Sequence, residues 1–121
     1  MRDLFIESLE FTEWVKAYLT DDGLAALQRE LLRDPEAGDV MPGCGGLRKL
    51  RIADPRRGKG KRGGIRVIYL HVPEANAIFL MDGYDKGERE DLSTADRKLL
   101  KALAEHYKQA IIRLRHQEKS S

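Results

Sequence analysis

The sequence predicts an α+β fold in which an N-terminal strand and a helical hairpin pack on a small antiparallel sheet, with a long C-terminal helix to finish. Three observations carry this. Apolar residues recur at spacings of three and four in two consecutive stretches before Pro35, an alternation of period two runs through much of residues 47–84, and the helical spacing returns after Ser93. Helices, then strands in series, then one helix is an α+β order, unlike the regular alternation that builds parallel sheets.

Residues 3–7 set Leu4 and Ile6 against Asp3, Phe5 and Glu7, which predicts a short first strand. Ser8 is placed to cap a helix with the stripe Phe11, Trp14, Val15, Tyr18 and Leu19, ending near Thr20. Thr20, Asp21 and Asp22 then bring a hydroxyl and two carboxylates to the start of a second helix, where exposed backbone amides favour negative charge. Leu24, Leu27, Leu31 and Leu32 form its stripe, and Asp34-Pro35 stops it. Residues 36–46, EAGDVMPGCGG, read as a turn-rich connector.

Three strands follow. In residues 47–52 Lys49 and Arg51 share one face, while Leu50 and Ile52 share the other. In residues 65–71 Arg66, Ile68 and Leu70 oppose Ile65, Val67 and Tyr69. Between them ADPRRGKGKRGG, with one Pro and four Gly, predicts a long hairpin loop. Residues 72–76 predict a tight turn and residues 77–84 a third strand, giving an antiparallel meander. Ser93 to Asp96 has a capping-box pattern, and Leu99, Leu100, Leu103, Tyr107, Ile111 and Leu114 keep one stripe over about six turns before a frayed tail at residues 116–121. The hairpin should cover one face of the sheet and leave the other partly open, with Lys49 and Arg51 facing the opening.

A length of 121 residues suits a single domain, 1–121, able to bury a core without metal or disulfide staples. No apolar run approaches the ~20 residues of a membrane span and MRDLFIESLE lacks a signal-peptide pattern, so a cytoplasmic protein is expected. Cys44 is the single cysteine and has no partner thiol within the chain.

Charge is distributed unevenly beneath a formal total of +2. Residues 47–69 hold nine basic side chains against one acid, Asp54, whereas residues 1–46 hold four against ten and residues 70–121 nine against nine. So concentrated a Lys/Arg surface attracts phosphates; the alternative is a solvated basic loop. Basic residues on two predicted strands as well as on the loop favour the first.

The segments GDVMPGCGGLRKLRIA, KGKRGGIRVIY and YDKGEREDLS, the last followed by a long helix, resemble the RelE superfamily of bacterial toxin-antitoxin proteins, in particular its HigB-like branch. The resemblance spans about residues 38–100. It implies a RelE-like fold and an endonuclease that cuts messenger RNA on the ribosome. It also implies a cognate antitoxin that holds the enzyme inactive, expected to be a helix-turn-helix, HigA-like protein. The reaction so implied needs no cofactor and no metal: the RNA 2′-hydroxyl attacks the adjacent phosphate. That step asks for a base near the 2′-oxygen, positive charge on the phosphorane and an acid for the 5′-oxygen.

His71, His106 and His116 are dispersed and offer no pair for this work, nor a zinc-ligand spacing. The catalytic candidates are Lys49, Arg51, Arg66, Tyr84 and Lys86. An ordinary lysine is protonated at neutral pH, so charge stabilisation is the simpler role for Lys49; Arg51 and Arg66 suit bidentate phosphate contact. Tyr84 and Lys86 match the Tyr-x-Lys part of the family's YxKNE-like motif, although Gly87 stands where Asn is usual. Tyr84 can stack on a base, donate a proton or merely edge the core. Arg48, Arg56, Arg57, Lys59, Lys61, Arg62 and Arg89 are expected to hold RNA through its backbone. Two rival readings keep the fold: a ParE-like inhibitor of DNA gyrase, and an RNA-binding module without catalysis.

Overall fold

The computed structural model describes residues 3–53, 64–85 and 92–120. Strand β1 (Leu4–Glu7) leads through Ser8 into α1 (Leu9–Tyr18), and Thr20 opens α2 (Asp21–Arg33). Both caps act as their residue types require: the Ser8 hydroxyl accepts from the Phe11 amide at 2.9 Å and the Thr20 hydroxyl from the Gly23 amide at 3.0 Å. A two-residue strand β2 (Asp39–Val40) lies within the stretch expected to be connector alone. Then come β3 (Arg48–Ile52), β4 (Ile65–Val72), a 3-10 turn at Pro73–Ala75, β5 (Ala77–Asp85) and α3 (Thr94–Ser120). The capping box of α3 is reciprocal, Asp96 N–H donating to the Ser93 hydroxyl at 3.0 Å and Ser93 N–H to the Asp96 carboxylate at 3.1 Å. The helix continues through residues 116–120, where a frayed tail was expected.

The five strands lie in the order β1-β5-β4-β3-β2. β3, β4 and β5 form the expected meander, β2 adds an antiparallel edge, and β1 runs parallel to β5, pairing Leu4 with Ala77 and Glu7 with Leu80. Register shifts between Ile68↔Asp82 and Tyr69↔Leu80, so Met81 is the extra residue of a bulge. The Ser8 hydroxyl donates to the Met81 carbonyl, fastening the α1 cap to that bulge.

Two apolar layers result. On one face Val67, Tyr69, Ile78 and Leu80 pack against Phe11, Val15, Leu27 and Leu31 of the helical hairpin. On the other, Ile68, Leu70 and Phe79 pack against Ala104 and Ile111 of α3, with the Phe79 and Tyr107 rings 4.6 Å apart. The second face stays open only in part, as expected. The stripe of α3 covers the second face over the β4-β5 centre, and what stays accessible is the end carrying Arg51 and, in part, Lys49. Leu32, assigned to the α2 stripe, is 40% exposed; Leu27 and Leu31 bear the packing.

Close approach explains two glycines. A β-carbon on Gly83 would stand 2.4 Å from the Trp14 ring, so only glycine lets the indole lie on β5. Gly45, at φ +71°, rests where a β-carbon would be 3.2 Å from both Ala104 and the Lys101 backbone, which joins the Pro42–Gly46 turn tightly to α3.

Candidate functional site

Register brings three of the expected catalytic residues into one row. Arg51 on β3 faces Arg66 on β4, and Arg66 faces Tyr84 on β5. Directly opposed residues of an antiparallel pair share a face, with β-carbons ~5 Å apart. Lys49, two residues before Arg51, occupies the same face beside Ile68. Four of the five catalytic candidates therefore share one end of one sheet face. Lys86 lies outside the described residues, as do Arg56, Arg57, Lys59, Lys61, Arg62 and Arg89.

The four differ in depth. Arg51 is exposed and Lys49 half-buried, whereas Tyr84 is 6% and Arg66 only 3% exposed. Arg66 was expected on an open face with little bearing on folding. It is instead a buried charged side chain, with a guanidinium N–H donating to the Gly64 carbonyl at 3.0 Å. Its charge lies beneath the surface, where lower polarity strengthens its field. Alternation assigned the face correctly; depth depends on what packs over it.

Arg48 departs further. It sits on the helical-hairpin side of β3, and its guanidinium donates to the Gly38 carbonyl at 2.8 Å and the Glu36 carbonyl at 3.4 Å. It binds the chain's own turn through one guanidinium nitrogen and stays half-buried. Tyr69 secures the same turn: its hydroxyl donates to the Pro35 carbonyl at 2.8 Å and accepts from the Gly38 amide at 2.9 Å. Burial pushes the Tyr69 phenol above its ordinary pKa, while the Gly38 amide and the nearby Arg48 charge pull the other way.

Beside the row lies a cleft of about 180 Å³ between the sheet and the first turns of α3. Its floor is apolar, with Met41, Ile68 and Leu100; Lys49, Tyr84, Asp39 and Arg97 supply its polar groups. Arg97 is fixed at the wall by donating to the Pro42 carbonyl at 2.6 Å. Asp39 and Lys49 stand opposite each other across β2 and β3. Sequence reasoning missed Asp39 and Arg97. No local pattern marks them, since they come from a connector and a helix start far apart in the chain.

One exposed cation, two half-buried ones and a buried one beside an apolar floor can hold a phosphodiester and an unstacked base together. No helix among the described residues is long and apolar enough to cross a membrane.

Comparison with known proteins agrees with this architecture. The isolated E. coli RelE toxin superposes with a TM-score of 0.52 at 15% identity, covering 84% of this chain and 98% of that one. A double arginine-to-alanine mutant of E. coli RelE in the free state gives 0.53 at 18% identity, covering 74% of this chain and 90% of that one. At such identities the likeness establishes the RelE-like fold. Residues 8–117 match the family described as the RelE toxin of the RelE/RelB toxin-antitoxin system, and with nearly the whole chain so matched, the protein belongs to the RelE toxin family.

Proposed function

We propose that this toxin is a metal-independent endoribonuclease of the HigB-like branch that cuts messenger RNA on the ribosome and so arrests translation. The observation that carries the reading is the Arg51-Arg66-Tyr84 row, with Lys49 beside it at the mouth of the cleft. In the reaction the 2′-oxygen bonds to phosphorus, the bond to the 5′-oxygen breaks, and a cyclic phosphate and a 5′-hydroxyl remain. The pentacovalent centre carries extra negative charge, which Arg51 at the surface and Arg66 below it oppose. Lys49 and Tyr84 flank the place where the 2′- and 5′-oxygens exchange a proton. Lys86 is assigned to the same reaction through its motif, and Arg56, Arg57, Lys59, Lys61, Arg62 and Arg89 to the RNA and ribosomal RNA backbone.

Membership of the family implies a cognate antitoxin. We assign it to the helix-turn-helix, HigA-like class, with an acidic or helical segment over the basic face. Co-expression with it should restore growth and yield a complex that weakens as salt rises.

The deciding experiment incubates purified protein with messenger RNA, with and without ribosomes, and maps ends by primer extension. Cuts that need ribosomes support the proposal. Cuts without ribosomes remove the ribosome from it, and intact messenger in both arms overturns catalysis. Intact messenger together with inhibited gyrase supercoiling transfers the chain to the ParE-like reading.

A further inference from the structure

We infer that the cleft between the sheet and α3 receives one unstacked guanine of the RNA, and that Asp39 selects it. The inference rests on the RNA reading above and goes beyond it to base preference. A surface built only to hold phosphates has no use for a carboxylate in its midst, because like charge repels. Asp39 nevertheless lines the cleft among Lys49, Arg97 and Tyr84. It is exposed and stands across the strand pair from Lys49, and no ion pair joins these two described side chains.

Its position is fixed from both sides. The preceding residue Gly38 gives its amide to the Tyr69 hydroxyl at 2.9 Å, and the Met41 amide donates to the Leu47 carbonyl at 2.9 Å. The backbone that carries Asp39 is thus anchored on both sides, which sets the carboxylate at the edge of the cleft. The cleft is matched in size. About 180 Å³ leaves room for one flat ring system. Its apolar floor, Ile68 and Leu100 among others, suits the face of a base, and the cations at its wall suit the flanking phosphates.

Hydrogen-bond chemistry then names the base. An ionised carboxylate only accepts, through two oxygens side by side. On its Watson–Crick edge guanine presents two adjacent donors, the ring N–H and the exocyclic amine. Adenine and cytosine each set one amine beside an acceptor nitrogen, and uracil sets one N–H between two carbonyls; a carboxylate is repelled by those acceptors. Single-stranded RNA leaves that edge free to be read.

The test uses the full chain and fluorescein-labelled single-stranded oligouridines with one central guanosine, inosine, adenosine or cytidine, followed by anisotropy at fixed salt. Inosine keeps the ring N–H and lacks the amine. The guanosine oligomer should bind roughly five- to a hundredfold more tightly than the adenosine one, the range of a bidentate pair, with inosine between. D39N should lose the advantage of guanosine over inosine and gain affinity for adenosine, whose edge an amide complements. L100W, which fills the cleft, should abolish discrimination while salt-dependent binding persists. Equal wild-type binding of all four oligomers, or a D39N protein that still prefers guanosine to inosine, overturns the inference and leaves the RNA reading intact. Failure to bind any oligomer overturns the inference alone, because the ribosome-dependent reading is decided by the primer-extension experiment. Thermal unfolding of each variant confirms that it is folded.

Discussion

Arg51 and Arg66 stand directly opposite each other on β3 and β4, one exposed and the other 3% exposed. Like charges directly opposite each other disfavour strand pairing, and the two side chains differ in depth. The pair separates binding from folding. R51A should reduce messenger cleavage by ~10²- to 10³-fold, the usual cost of removing one electrostatic partner of a transition state, and leave the melting temperature unchanged. R66A should abolish cleavage and melt earlier, because a buried group bonded to Gly64 is removed. Primer extension and thermal unfolding, run side by side, decide this. A melting curve for R66A like that of the wild type would show that the guanidinium carries no structural share.

Tyr69 should contribute to an alkaline decline in stability. Its phenol is neutral in the fold and pushed above the ordinary value of ~10, chiefly by burial. A raised folded-state pKa contributes stability that is complete below the unfolded value and is lost as pH climbs through the folded one. Denaturant midpoints should therefore fall above pH ~10. Y69F should flatten that decline and cost ~1 to 3 kcal/mol at neutral pH, since the Gly38 amide loses its buried acceptor. An equal alkaline slope in the two proteins would place the effect on another group.

Gly83 should tolerate no side chain. G83A drives a methyl into Trp14 and should destabilise the protein by ~1 to 3 kcal/mol, the usual cost of overpacking. W14L, by removing the obstructing ring, should make G83A cheaper in the double variant than alone. Strict additivity of the two changes would rule out direct contact as the cause.

The basic loop can be tested through salt. Replacing Arg56, Arg57, Lys59, Lys61 and Arg62 together by Gln should lower the slope of log affinity against log salt by ~0.7 for each phosphate of single-stranded RNA that the loop neutralises. A slope equal to that of the wild type would make the loop a spectator.

Local chemistry was readable in the sequence and distant pairing was not. The caps at Ser8, Thr20 and Ser93 involve neighbours three residues away, and the faces of β3 and β4 follow from alternation. Nothing in residues 3–7 says that their partner is β5, more than seventy residues on, in parallel register. β2 has two residues, too few for a period. The site divides likewise. Lys49, Arg51 and Tyr84 were legible as charge and motif, but the depth of Arg66 depends on neighbours that pack over it. Asp39 reaches the cleft only through the pairing of β2 with β3, and Arg97 only once α3 lies on the sheet.

The parallel pairing of β1 with β5 also sets an order of events during synthesis. A nascent chain emits β1 first and must keep Leu4 to Glu7 unsatisfied until residues 77–80 leave the ribosome. The Arg97 wall of the cleft follows later still, with α3. A nascent chain that has not yet released the first turn of α3 therefore carries no assembled cleft.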